Sequence, residues 1–241
     1  MLTSRAGRAV LVALTVALTV GLSGATFAAA EPTAAAPSST PFQIALAALV
    51  PPGTEIAAAP LPACRFADKR TRYYKVKHWR RTLLDTNLRV KRSYVPWDLV
   101  SVSRANIKGS GKVRKVMIDD LKAMARAARK AGKPLAVRSA YRSYATQVAT
   151  FNSWVRRSGY QQALKFSARP GHSEHQMGTT IDFTVAPGQP LSSTFGTSKQ
   201  GKWMNRNAWK FGFIKSYPKG KRKVSCYGYE PWHWRYVGRE L

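Results

Sequence analysis

The sequence predicts a single α+β domain, a small and mostly antiparallel sheet flanked by helices. Helical and strand-like patterns are intermixed along residues 63–241 with no clean βαβ repeat. That stretch has the length of one ordinary domain and can bury a real core. No internal repeat breaks it into smaller units.

The elements follow in order. "KVRKVMIDDLKAMARAARKAGK" (112–133) sets Val113, Val116, Met117, Leu121, Met124 and Ala128 near helical spacing, and Gly132 stops the run. "PLAVRSAY" reads as a short buried strand. Ser143 is placed to cap a helix over "YATQVATFNSWVRRS", with Gly159 just past its end. A second short helix is expected at "YQQALKF". "GTTIDFTV" alternates as a strand does, "GKWMNRNAWKFG" reads as a helix ending at Gly212, and "FIKSYP" and "PWHWRYVG" read as strands.

Residues 1–30 are expected to stand outside the fold. Arg5 and Arg8 precede the uncharged apolar run 9–22, and "ATFAAAEP" offers small-residue cleavage sites, most simply after Ala30. That is the layout of a secretory signal peptide. The run is shorter than the ~20 residues of a membrane span, which leaves an uncleaved anchor as the alternative. Residues 31–62 are rich in Ala, Pro and Ser and read as a linker or propeptide, with a short helix at "FQIALAALV".

The chain has two cysteines, Cys64 and Cys226, one at each end of the domain. In an exported protein they are expected to pair, and two unpaired thiols are the alternative. The bond would close a loop of 162 residues, which the chain-entropy argument rates at up to roughly 5 kcal/mol.

Net charge is +29, and removal of Arg5 and Arg8 takes two positive charges and leaves +27. Such a charge favours polyanions. The basic residues are spread along the chain, and neither an aromatic RNA-binding signature nor zinc-finger spacing occurs, so nucleic acid is not the expected partner. Anionic wall polymers or a merely solvated basic surface remain. Nothing calls for an obligate dimer, and a monomer is expected.

Only four histidines occur, and two of them lie in "SARPGHSEHQMGTTIDF" (167–183). A catalytic zinc site wants three protein ligands and an open position for water, with a carboxylate that handles the water's proton. His175 and Asp182 lie seven apart, and a turn at Gly178 could bring them together. "EPWHW" adds His233, with Glu230 three residues earlier behind a stiff Pro-Trp. No HExxH helix is present. The spacings alone are weak: His172 and His175 could be loop residues, Asp182 could cap a turn, and Glu230 could pair with Arg235.

"SAYRSYATQ", "SARPGHSEHQMGTTIDF", "NAWKFGFIKSYP" and "EPWHWRYVG" together resemble, in order, the signature blocks of the VanY-type zinc D-alanyl-D-alanine carboxypeptidases, over roughly residues 64–241. The resemblance implies a fold shared with D,D-dipeptidases and hedgehog-type domains. It implies one Zn2+ held by His175, Asp182 and His233, with Glu230 as catalytic base. The reaction implied is removal of the C-terminal D-alanine from peptidoglycan stem peptides by a secreted, wall-associated enzyme. Arg142 is expected to clamp the substrate carboxylate or steady the oxyanion, a task that suits a guanidinium. Gln147, Ser173, Arg169 and Trp232 are further substrate-binding candidates. His172 is not needed as a ligand, and Glu174 is expected to be structural. Thr180 departs from the small residue the family usually carries there, which bears on fine specificity. Dipeptidase and L,D-carboxypeptidase specificities are the near alternatives, and a non-catalytic basic wall-binding protein is the distant one.

Overall fold

The computed structural model describes residues 64–240. The expected signal peptide over 1–30, and the linker and short helix expected within 31–62, lie outside the described residues.

The chain enters through two short strands, β1 (Lys69–Arg70) and β2 (Leu88–Arg89), which pair in parallel. β3 (Leu99–Ser101) pairs antiparallel with β5 (Lys112–Arg114), and β4 (Lys108–Gly109) lies between them in sequence. Helix α1 (Ile118–Lys130) follows, then β6 (Ala136–Ser139), α2 (Tyr144–Ser158) and α3 (Tyr160–Phe166). β7 (Thr180–Thr184), α4 (Lys199–Asn207), β8 (Phe213–Lys215), the short α5 (Arg222–Ser225) and β9 (His233–Tyr236) complete the domain. The main sheet has the order β4-β6-β7-β9-β8, with β4–β6 parallel and every other pair antiparallel. The expected mixed domain with a mostly antiparallel sheet is the one observed.

Strand alternation decides which face does what. Ile181 and Phe183 of β7, with Trp234 and Tyr236 of β9, join the main core. Their neighbours Thr180, Asp182, His233 and Arg235 are equally buried but point to the opposite face. Helix α1 seats Leu121, Met124, Ala125 and Ala128 in the core, with Asp119 and Asp120 in its first turn and Arg129 and Lys130 in its last, as the helix dipole favours. Helices α2 and α3 form a smaller cluster of their own around Phe151, Ala163 and Leu164.

One element begins later than its periodicity suggests. Residues 112–114 form β5, so Val113 is buried by pairing with Val100, and the helix starts only at Ile118 after a 3-10 turn. Val116 is consequently exposed instead of lying on the apolar helix face. Ser143 does cap α2, its Oγ accepting from the Thr146 N–H at 3.1 Å. The strand at "FIKSYP" ends at Lys215.

Candidate metal centre and cavity

The sheet register brings two distant acids and bases together. Asp182 sits directly opposite His233 in the β7–β9 pair, and opposite Ser139 in the β6–β7 pair. His175 comes from the 3-10 turn Glu174–Met177, whose exit at Gly178 needs a left-handed φ of 70°. This turn folds the chain back so that His175 faces the strand it precedes.

Each histidine has one nitrogen committed outside the centre. His175 Nδ1 donates to the Ala140 carbonyl at 2.7 Å, leaving Nε2 3.2 Å from Asp182 Oδ2. His233 Nε2 donates to Glu174 Oε2 at 2.9 Å, leaving Nδ1 3.3 Å from Asp182 Oδ1. Donor atoms on a tetrahedral ion at about 2.1 Å lie roughly 3.4 Å apart, close to both separations. All three ligand atoms lie within 4.8 Å of one another. Asp182 Oδ1 is buried and makes no well-formed hydrogen bond among the described residues. The residues therefore fit a zinc-like cation. Burial alone would push His233 down, but hydrogen bonding to Asp182 and Glu174 raises it to about 10; a cation held by this cluster would compete with the proton for the ring.

Two further carboxylates flank the centre with opposite character. Burial opposes the charge on Glu174, yet hydrogen bonding from His233 and the Arg235 guanidinium bring its carboxyl down to about 2. Arg235 Nη1 donates to Glu174 Oε1 at 3.1 Å, and Ser216 Oγ donates to Oε2. Glu174, not Glu230, is thus the partner of Arg235. Glu230 Oε2 lies 3.5 Å from His233 Nδ1 and keeps 20% of its side chain open to the cavity. Burial pushes its carboxyl up to about 7, with Asp182 and Glu174 adding to the rise. Their surroundings thus drive the two carboxyls in opposite directions.

The cavity at this centre measures about 510 Å³, and its walls include Arg142, Ser173, Trp232 and Tyr217 besides the three candidate ligands and Glu230. A second hollow of about 280 Å³, between Thr184 and Ser198, is lined by no titratable side chain. Arg142 reaches the candidate ligand cluster, its Nη2 lying 3.9 Å from Asp182 Oδ2. Ser139 Oγ and Gln147 Oε1 accept from its guanidinium at 3.1 and 2.9 Å.

Two expected substrate contacts are placed differently. Gln147 is buried and spends its amide on Arg142, Ser167 and the Ala168 carbonyl. It holds the arginine and is not part of the cavity wall. Arg169 turns away to the entering chain, donating to the Ala67 and Thr86 carbonyls and pairing with Asp68. His172 is likewise occupied by the Asp85 backbone carbonyl and the Asp68 carboxylate. Trp232 lines the cavity, and Trp234 packs in the core. Thr180 lies on the face of β7 that bears Asp182, its buried hydroxyl without a partner among the described residues.

Sequence reasoning missed Tyr217, whose ring packs 4.7 Å from that of His233, and the outer wall of Trp154, Phe166 and Leu191. No spacing signal marks them, because they reach the cavity from separate elements.

A sequence model of the VanY family, described as D-alanyl-D-alanine carboxypeptidase, matches residues 110–239. YodJ of Bacillus subtilis, a carboxypeptidase by name, is 45% identical over 129 residues, which is 53% of this chain and 47% of YodJ. A D-alanyl-D-alanine carboxypeptidase of Enterococcus faecium is 33% identical over 102 residues, 42% of this chain and 29% of that one. The chain thus matches less than half the length of these relatives. Among solved structures, the LdcB LD-carboxypeptidase superposes with a TM-score of 0.62 at 34% identity, covering 73% of this chain and 90% of its own. A Zn(II) complex of a vancomycin-resistance D,D-pentapeptidase VanY gives 0.57 at 27% identity, covering 67% and 90%.

Proposed function

Since the chain belongs to the VanY family of D-alanyl-D-alanine carboxypeptidases, we propose that it is a zinc peptidase that removes the C-terminal D-alanine from peptidoglycan stem peptides. The observation that carries this reading is the buried His175–Asp182–His233 cluster with Glu230 3.5 Å from His233, at the base of one cavity. When bound, zinc would supply Lewis acidity to the attacking water and the scissile carbonyl.

The chain's own residues supply the rest. Glu230, raised to about 7, accepts the water's proton and returns it to the leaving D-alanine nitrogen. Arg142, braced by Gln147 and Ser139, presents its guanidinium to the substrate carboxylate or the developing oxyanion. Ser173 and Trp232 supply the wall against which the peptide lies. Export is proposed from Arg5, Arg8 and the apolar run 9–22, and retention on anionic wall polymers from the charge.

Mass spectrometry of a muramyl pentapeptide ending in D-Ala-D-Ala, with and without chelator, tests the proposal. Loss of one alanine, abolished by chelator, is the expected result. Cleavage of the tetrapeptide alone would assign the L,D specificity of the LdcB neighbour, and no cleavage of either would overturn the reading. Glu230→Gln should keep the metal and lose about 10²–10⁴ in turnover, the usual worth of a positioned base. Unchanged turnover in that variant would remove Glu230 from its role.

A further inference from the structure

We infer that residues 64–71 form a strap that positions Glu230 relative to the metal-ligating residues, through Cys64–Cys226 at one end and Asp68 at the other. The inference rests on the catalytic reading of Glu230 given above.

At its first residue the strap is bonded to Cys226, four residues before Glu230. Cys226 ends α5 in a left-handed conformation, φ 62°, which a residue with a Cβ holds only when its surroundings demand it. The stretch beyond it is lightly held. Among the described residues, the backbone hydrogen bonds of 228–230 are Glu230 N–H to the Tyr217 carbonyl and His233 N–H to the Glu230 carbonyl, both 3.2 Å. Among the described residues the Glu230 carboxylate makes no side-chain hydrogen bond, and its basic neighbour His233 Nδ1 lies 3.5 Å away. Its place is therefore set by where the loop backbone is pinned: on one side at Pro231 and Trp232, whose carbonyls accept from Trp234 Nε1 and the Phe183 N–H at 2.9 Å, and on the other at Cys226. Tyr227, next to the disulfide, packs 5.1 Å from Tyr217, which packs in turn on His233.

Four residues further on, the strap meets the loop that delivers His175. Asp68 Oδ1 lies 2.9 Å from His172 Nε2, and Asp68 Oδ2 accepts from Arg169 at 3.2 Å. Arg169 also binds the Ala67 carbonyl, and Arg89 Nε binds the Asp68 carbonyl. Thr86 Oγ1 donates to the Arg65 carbonyl. Val90 N–H donates to the Gly171 carbonyl, so the strap's partner strand is fixed to the same loop. The cluster around His172 thus has a task at the site without touching substrate. It registers one end of the strap on the His175 loop, while the disulfide registers the other on the base loop. A misplacement of about 1 Å in such a group costs roughly a hundredfold in rate.

The test uses the full chain, loaded with cobalt(II) so that the metal centre has an absorption spectrum. A water-soluble phosphine reduces the disulfide: two electrons and two protons pass to the sulfurs, giving two thiols, and the phosphine leaves as its oxide with oxygen from water. We expect kcat to fall at least about tenfold with KM within about threefold and the cobalt spectrum unchanged. Amide exchange across 227–232 should rise while β7 and β9 stay protected, and reoxidation should restore kcat. The Cys64→Ser/Cys226→Ser double variant should reproduce the reduced state, and reduction of the folded protein replaces it where that variant does not fold. Asp68→Asn should lower kcat in the same sense and by less.

Full kcat with both thiols confirmed free would overturn the inference. So would kcat and the cobalt spectrum collapsing together, which is the result of a merely structural bond. Should the wild type cleave no stem peptide, the functional reading fails, and exchange at 227–232 still decides the strap: unchanged exchange sinks it, selective loosening supports it.

Discussion

Glu174 accepts from His233 Nε2 and is paired with Arg235 and Ser216, so it selects which ring nitrogen of His233 faces the centre. Partners of this kind fix the tautomer of a ligand and raise its basicity. Glu174→Gln keeps an acceptor for Nε2 and removes the charge that Arg235 needs. Metal affinity should fall by about 10–100-fold, read by competition with a chromogenic chelator, and an unchanged affinity would deny Glu174 this role. Asp68 gives a residue-scale prediction about pH. Hydrogen bonding from His172 holds its carboxyl below the ordinary value. A carboxylate with a depressed folded pKa stabilises the fold above its unfolded value, ~3.9, and that stabilisation is lost as pH falls through the folded value. Thermal melts should therefore show Asp68→Asn destabilised at neutral pH and converging on wild type as pH drops below about 4. Parallel curves down to acid would contradict it.

At the scale of elements, the 3-10 turn at Glu174–Met177 is the piece that makes the centre. Gly178 ends it at φ 70°, and a Cβ built there would lie 2.8 Å from Leu99 Cδ2. Gly178→Ala combines left-handed strain with this crowding, and we expect a loss of about 2 kcal/mol. Calorimetry should see Tm fall by roughly 4–8 °C for a domain of this size. No change would mean the turn relaxes without cost. The β5–α1 boundary teaches a related lesson. Val113, Val116 and Met117 keep helical spacing in sequence, yet β3 captures Val113 and Arg114. Pairing with a strand outweighs local periodicity where the partner is already in place. The Asp98 carboxylate on buried Arg114 adds to that capture.

On the scale of the whole molecule, eleven acidic residues stand against forty basic ones, and two of the acids are spent inside the fold, Asp98 on Arg114 and Glu174 on His233 and Arg235. Arg114 and Arg235 are buried with those acids, so the pairs cancel and the excess of basic residues is carried by the rest of the molecule. Proposed retention on wall polymers should then be electrostatic, with release from purified walls as salt shortens the Debye length from about 10 Å at 0.1 M to about 3 Å at 1 M. Release that ignores salt would refute the tether. The domain also closes on itself at its end: Tyr236 and Arg239 both bind Asp120 of α1.

The sequence by itself determined the fold class and the expected disulfide pairing, and its family resemblance named the candidate ligand set. Two cysteines allow one intramolecular pairing, which the structure shows formed; strand alternation sorts Ile181 and Phe183 from Asp182, and the signature blocks around His175 and Glu230 keep their order along the chain. These are local or combinatorial properties, so a linear reading reaches them. It could not reach Glu174 as the partner of His233, because that contact spans 59 positions. It placed Gln147 and Arg169 at the substrate and could not see that one braces Arg142 and the other secures the strap. Hydrogen-bond partners of long polar side chains are decided by which backbone loops arrive nearby, and only the tertiary structure brings those loops together. The raised carboxyl of Glu230 is likewise a product of burial among distant charges.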